Sequence, residues 1–172
     1  PDPKDLATYL PYVVLAEVLT DGDASRLQER MLLKDRSATH ISGYLGLLGD
    51  PLDARDPTLM LIEVHHPEET SLDAVLTTIE DELDRLSQEG LDQDELDRTV
   101  ARMTARYLRE VDNVLGRATT VSVFEQQRSR AELVNELPAL LREVTAQQVQ
   151  DAAATLTKDT RTVLELRPGT DA

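Results

Sequence analysis

The eight residues "EVHHPEET", Glu63 to Thr70, hold two of the three histidines in the chain beside three glutamates. Imidazole and carboxylate are zinc ligands, and a mononuclear site needs several of them converging at about 2 Å from one point. His65 and His66 are consecutive, so on a strand they point to opposite faces, and Pro67 ends the strand beyond them. On a helix, zinc ligands would follow H-E-x-x-H or its inverse H-x-x-E-H, whereas this string reads H-H-P-E-E-T. His65 with Glu68, or His66 with Glu69, lacks a second histidine, and Pro67 disfavours a helix containing both. His40 lies in the preceding extended stretch and could approach His65 across a strand pair. The spacing does not bring three ligands to one ion, so no metal site is expected at His40, His65 and His66.

Other chemistry is equally sparse. The chain has no glycine-rich phosphate loop, no G-x-S-x-G elbow and no cysteine for a nucleophile, thiolate ligand or disulfide. With one Phe, four Tyr and no Trp it offers no aromatic platform for bases or sugars. Eighteen basic against thirty-three acidic residues leave a net charge of −15, the wrong sign for nucleic acid or anionic membranes. No nucleic-acid or membrane partner is therefore expected, and no apolar run reaches the ~20 residues of a membrane span. Without a signal-peptide core at its start, the expected location is cytoplasmic.

The elements that must position these residues follow from periodicity. Leu6, Tyr9, Leu10, Val13, Val14 and Val18 mark a helix, with Pro11 expected near a helix start. A second helix is expected from about Ser25 to Lys34. The pattern then turns extended in "SATHISGYLG" and "PTLMLIEVHH", two neighbouring strands separated by a turn-rich loop. In the second, Met60, Ile62 and Val64 face one way and Leu61, Glu63 and His65 the other.

Helices follow. One begins at Ser71 and closes at Gly90, and a long one over about 93–111 has Asp92 and Glu95 as an expected capping box. A third stretch contains Gly116, a fourth is expected to restart at Pro138, and a fifth has Thr145 and Gln148 as a second capping box. "RTVLEL" is expected as a last strand ending at Pro168. This order implies an α+β fold, with a few-stranded, mainly antiparallel sheet packed against several helices. Three strands are few for so many helices, so residues 1–172 are expected to form a single partial domain missing its first strands.

Three segments carry a resemblance: "VLAEVLTDGDASRLQERMLLKD", the stretch from "SLDAVLTTIEDELDRL" to "VLGRATTVSVFE", and "LLREVTAQQVQDAAATLTKDTRTVLELRP". S-R-L after a small-residue loop, E-G-L-x-x-x-E-L before the long helix, and G-R-A after it occur in order. This arrangement resembles the insulinase/pitrilysin-type zinc metallopeptidases, which include the mitochondrial processing peptidases. The resemblance implies a processing-peptidase-like α+β domain, one of several that enclose an unfolded peptide. It also implies that zinc sits on H-x-x-E-H in an upstream domain, and that a later, C-terminal domain supplies an Arg and a Tyr to hold and polarise the substrate.

This chain lacks H-x-x-E-H and so resembles the later, non-zinc ("inactive") domain. The family segment L-R-x-K-x-x-x-x-Y, laid on from Ser25-Arg26-Leu27, puts Leu32 at the arginine position and Thr39 at the tyrosine position. Leucine donates no hydrogen bond, and a threonine hydroxyl is shorter and less acidic than a phenol. Tyr44 is an odd number of residues beyond Thr39, on the opposite strand face, and neither Arg30 nor Arg36 has a correctly spaced tyrosine.

No catalytic residue and no cofactor are expected in this fragment, with zinc in the upstream domain of an active parent. The expected function is chamber wall and domain-packing surface in a zinc-dependent metalloendopeptidase. The alternative is a pseudo-peptidase or scaffold subunit without hydrolytic role. Expected partners are the zinc-bearing domain, in the same chain or a partner subunit, a peptide substrate, and a second copy in a homodimer.

Overall fold

A computed structural model describes residues 1–46 and 50–167. Helix α1, Leu6–Thr20, starts behind Asp5, whose carboxylate accepts the Ala7 N–H at 3.1 Å. Pro11 lies inside this helix and not at a start. A proline there forfeits one intrahelical hydrogen bond. The compensation is burial, because α1 is enclosed around most of its circumference, Pro11 included. The expected second helix is instead a π-helical turn over Gln28–Lys34, closed by the Asp35 N–H donating to the Arg30 carbonyl at 2.8 Å. Such wide turns aim side chains differently from an α-helix.

Strands β1, His40–Leu45, and β2, Met60–His65, pair antiparallel, with His40 opposite His65, Ser42 opposite Glu63, and Tyr44 opposite Leu61. The expected alternation holds. Ile41 and Leu45 are buried, and β1 packs on α1 so closely at Gly43 that an added Cβ would lie 2.7 Å from both Cγ2 and Oγ1 of Thr20. Thr20 Oγ1 donates to the carbonyls of Ala16 (2.8 Å) and Gly43 (3.2 Å), tying helix to strand.

Helices α2, Leu72–Glu89, and α3, Gln93–Asp112, begin at the expected caps Ser71 and Asp92, and α2 ends at Gly90 with φ 80°, a left-handed position suited to glycine. α4 spans Val114–Arg128, α5 Leu133–Glu143 and α6 Ala146–Thr155. Pro138 falls within α5 and does not restart it. The Thr145–Gln148 capping box forms in full. At Asp92 the expected box does not form: the Asp92 carboxylate accepts the Asp94 N–H at 3.1 Å, and Glu95 turns to Arg26. α1 is the hub of the fold, contacting β1, α3, α5 and α6, while α2 covers α6 and α3 holds α4 and α5. Tyr9, Leu15, Leu19, Leu27, Met31 and Phe124 lie in the shared core.

The architecture is α+β, as expected, but residues 161–167 have no sheet partner among the described residues. β-Formers favour an extended backbone, yet a strand exists only where another strand takes its N–H and C=O groups. Leu164 and Leu166 stay more than 80% exposed, and the segment is moored at its start by Arg161 and Lys158, both paired with Glu80 of α2. Pro168, the expected strand end, and part of the loop after β1 lie outside the described residues.

Candidate functional site

Leu32 and Thr39 stand at the two positions where the resemblance asks for arginine and tyrosine. Leu32 projects from the π-helical turn and packs, half-buried, against the core. Thr39 is exposed immediately before β1, and both its backbone N–H (2.7 Å) and its Oγ1 (3.2 Å) donate to the His65 carbonyl. The hydroxyl proton is thereby committed to the main chain.

The neighbouring arginines and Tyr44 differ in what they touch. The Arg30 guanidinium bonds Asp81 at 2.9 Å and the buried carboxylate of Glu82 at 3.1 Å, with Asp35 at 3.8 Å. Arg85 donates to the same Glu82 oxygen. The Arg30 cation balances a carboxylate that would be costly to bury alone, so Arg30 fastens the π-helical turn to α2. Arg26 holds Glu95 through two hydrogen bonds, 2.9 and 3.1 Å, and fastens the same region to α3. Burial works against the Arg26 charge, but the bonds and charge of Glu95 outweigh it and raise its pKa above the ordinary value. Arg36 is exposed at φ 51°, in the left-handed region. Tyr44 shares the open sheet face with His40 and Ser42, away from α1.

The histidines divide as their register dictates. His66 turns its Nδ1 to the Pro67 carbonyl (3.0 Å), so it does not converge with His65. His40 and His65 do meet, with ring centroids 5.4 Å apart and planes at 77°. Glu63, two residues before His65 and on the same face, places Oε1 2.8 Å from His65 Nε2. The hydrogen bond with His65, helped by the His40 charge and Ser42, holds the Glu63 carboxyl below the ordinary range. Sequence reasoning missed Glu63, though its i, i+2 spacing from His65 is the signal that would have found it. Among the described residues no group of three or more His, Asp or Glu side chains could hold a metal ion.

On the helical side, a cavity of about 470 Å³ opens between α1, β1, α3 and α5. Leu10, Val13, Met103 and Leu141 form its apolar wall, and Glu17, Asp21 and Arg106 its polar one. Arg106 bonds both carboxylates, Asp21 at 3.1 Å and Glu17 more closely. Burial pushes the Glu17 carboxyl above its usual range, against the bond from Arg106. For Asp21, burial is outweighed by the bond with Glu17 and the charges of Arg106 and Arg102, and its carboxyl is held below range. The network bridges α1 and α3.

No curated protein matches the chain. Solved structures do. An inactive peptidase domain of a candidate zinc protease from Bordetella parapertussis superposes with a TM-score of 0.79 at 18% identity, covering 100% of this chain and 89% of that one. A candidate zinc protease from Bordetella pertussis Tohama I gives 0.75 at 21% identity, covering 94% and 86%. A protease from Helicobacter pylori gives 0.74 at 17% identity over 90% of this chain, which spans only 36% of that protein's length. At these identities the structures establish the fold. The family model described as the Peptidase M16 inactive domain matches residues 1–103, a stretch that includes the π-helical turn, both strands and the start of α3. Joined by that match and by the shared fold, the chain belongs to the M16 peptidase family, among its inactive domains.

Proposed function

We propose that this chain is the non-catalytic C-terminal domain of a zinc-dependent metalloendopeptidase, serving as chamber wall and as packing surface for a zinc-bearing domain. One observation carries the reading. At the two positions from which the family would hold and polarise a peptide, Leu32 has no donor and the Thr39 hydroxyl is spent on the His65 carbonyl. The nearby Arg30 is committed to Asp81 and Glu82. What the domain can still offer a peptide is main-chain pairing along an open strand edge. The unpaired segment 161–167 is a natural place for another domain's strand.

The test is cleavage of a fluorogenic peptide library by the complete parent protein, with and without a zinc chelator and with this domain deleted. The expected result is chelator-sensitive cleavage that is lost on deletion and changes little in Leu32→Ala or Thr39→Val. Absence of cleavage by well-folded parent with its partner subunit overturns the reading. It would favour a scaffold role, the alternative supported by Val114 and Leu115, 88% and 76% exposed at the corner between α3 and α4.

A further inference from the structure

We infer that residues 161–167 form the edge by which two copies of this chain associate, each segment pairing antiparallel with the same segment of the second copy about a two-fold axis at Val163. All seven residues are exposed, and among the described residues none of their backbone N–H or C=O groups is hydrogen-bonded. The side chains already alternate as in a strand. Those of Arg161 and Glu165 are 34% and 27% exposed and Val163 is 41% exposed, leaning toward the body of the domain, while Leu164 and Leu166 stand out at 81% and 84%. Arg161 anchors the start of the segment to Glu80 of α2. A partner strand therefore meets an edge that is already extended, so less ordering opposes its docking, and it supplies the donors and acceptors that this chain does not.

Charge selects a second copy as the partner and fixes the register. Directly opposed residues of an antiparallel pair share a face, where opposite charges stabilise and like charges destabilise. With Val163 opposite Val163 of the second copy, Arg161 faces Glu165 and Glu165 faces Arg161. Just before the segment, Asp159 comes toward Arg167 of the second copy. The adjacent registers fail this test. A pivot at Leu164 sets Arg161 against Arg167 and Val163 against Glu165, and a pivot at Glu165 sets that carboxylate against itself. Within one chain Arg161 gives only Nη1 to Glu80, and Glu165 meets Arg167 at 3.0 Å, so both can take a further partner. On the outer face the two Leu164 side chains lie diagonally across the pair and cover apolar surface that each copy alone leaves to water. The strip is smaller than the roughly 1,200–2,000 Å² of a standard interface, so the dimer is reversible, with a Kd on the order of micromolar. The pairing is independent of peptide cleavage.

Sedimentation velocity of the 172-residue chain at physiological salt, where the repulsion between two net charges of −15 is screened, tests this. The wild type should pass from monomer to dimer as its concentration rises through the micromolar range. Glu165→Arg and Arg161→Glu should each weaken self-association by about tenfold, since each turns two attractive cross-strand pairs into repulsive ones. An equimolar mixture of the two variants should associate again, because one then carries two acidic and the other two basic side chains at these positions. The chain has no cysteine, so Val163→Cys is a clean probe of the axis. With oxidised glutathione it should form a disulfide-linked dimer several-fold faster than Leu166→Cys, as direct opposition brings Cα atoms within the roughly 4.4–6.8 Å that a disulfide spans. None of these positions belongs to the core, and unchanged circular dichroism checks that each variant folds. A chain that stays monomeric up to about 0.1 mM, well above a micromolar Kd, overturns the pairing and leaves the edge to another domain's strand. Association indifferent to Glu165→Arg, a mixture that stays dissociated, or Val163→Cys no faster than Leu166→Cys would each overturn it as well.

Discussion

The two faces of the β1–β2 pair come from alternate residues of the same strands and answer to different constraints. Toward α1, Ile41 and Leu45 are buried and Gly43 leaves no room for a Cβ against Thr20. On the other face, His40, Ser42, Tyr44, Leu61, Glu63 and His65 range from half-buried to exposed. The packed face sets the register, because a slip of one residue would exchange the two sets entirely. The open face then inherits that register. Its cross-strand neighbours, His40 with His65 above all, are placed by packing on the side they do not touch.

Substitutions can break or sharpen this contrast. The largest effect is expected for Leu45→Ala on the packed face, where Leu45 is 1% exposed. Loss of its side chain should cost about 2–5 kcal/mol in denaturant unfolding, the range for a large-to-small core change. Gly43→Ala comes next, at about 1–3 kcal/mol, because the new methyl meets the stiff, buried Thr20 side chain. Adding Thr20→Ala should recover part of that loss, since the two side chains occupy one space, and additive losses would remove the steric explanation. The smallest effect is expected on the open face. Ser42→Ala should change stability by no more than about 0.5 kcal/mol, and a larger loss would mean that this face also governs the register.

A second contrast concerns which local signals survived folding. Thr145 and Gln148 closed their capping box, while the identical logic at Asp92 and Glu95 was overridden. The difference is the presence of Arg26, remote in sequence, which offers Glu95 two charge-assisted bonds in place of one reciprocal cap. Pro11 and Pro138 similarly look like helix starts when read locally, yet both sit inside helices whose apolar faces are held by the core. The β-formers of 161–166 show the reverse, a strong local preference for extended structure without the partner that would make it a strand.

The sequence alone was enough to establish the α+β class, the order of nearly every element and its amphipathic face, and the lack of H-x-x-E-H. Those features rest on composition, spacing and nearest-neighbour sterics, which a chain carries with it wherever it folds. Only the tertiary structure decided that residues 28–34 wind as a π-helical turn, that Arg30 is spent on Asp81 and Glu82, and that the Thr39 hydroxyl is spent on His65. It also brought His40, Glu63 and His65 onto one open face. Each of these depends on long-range pairing, in which a side chain's partner is chosen by the packing of other residues, and local spacing does not encode that choice.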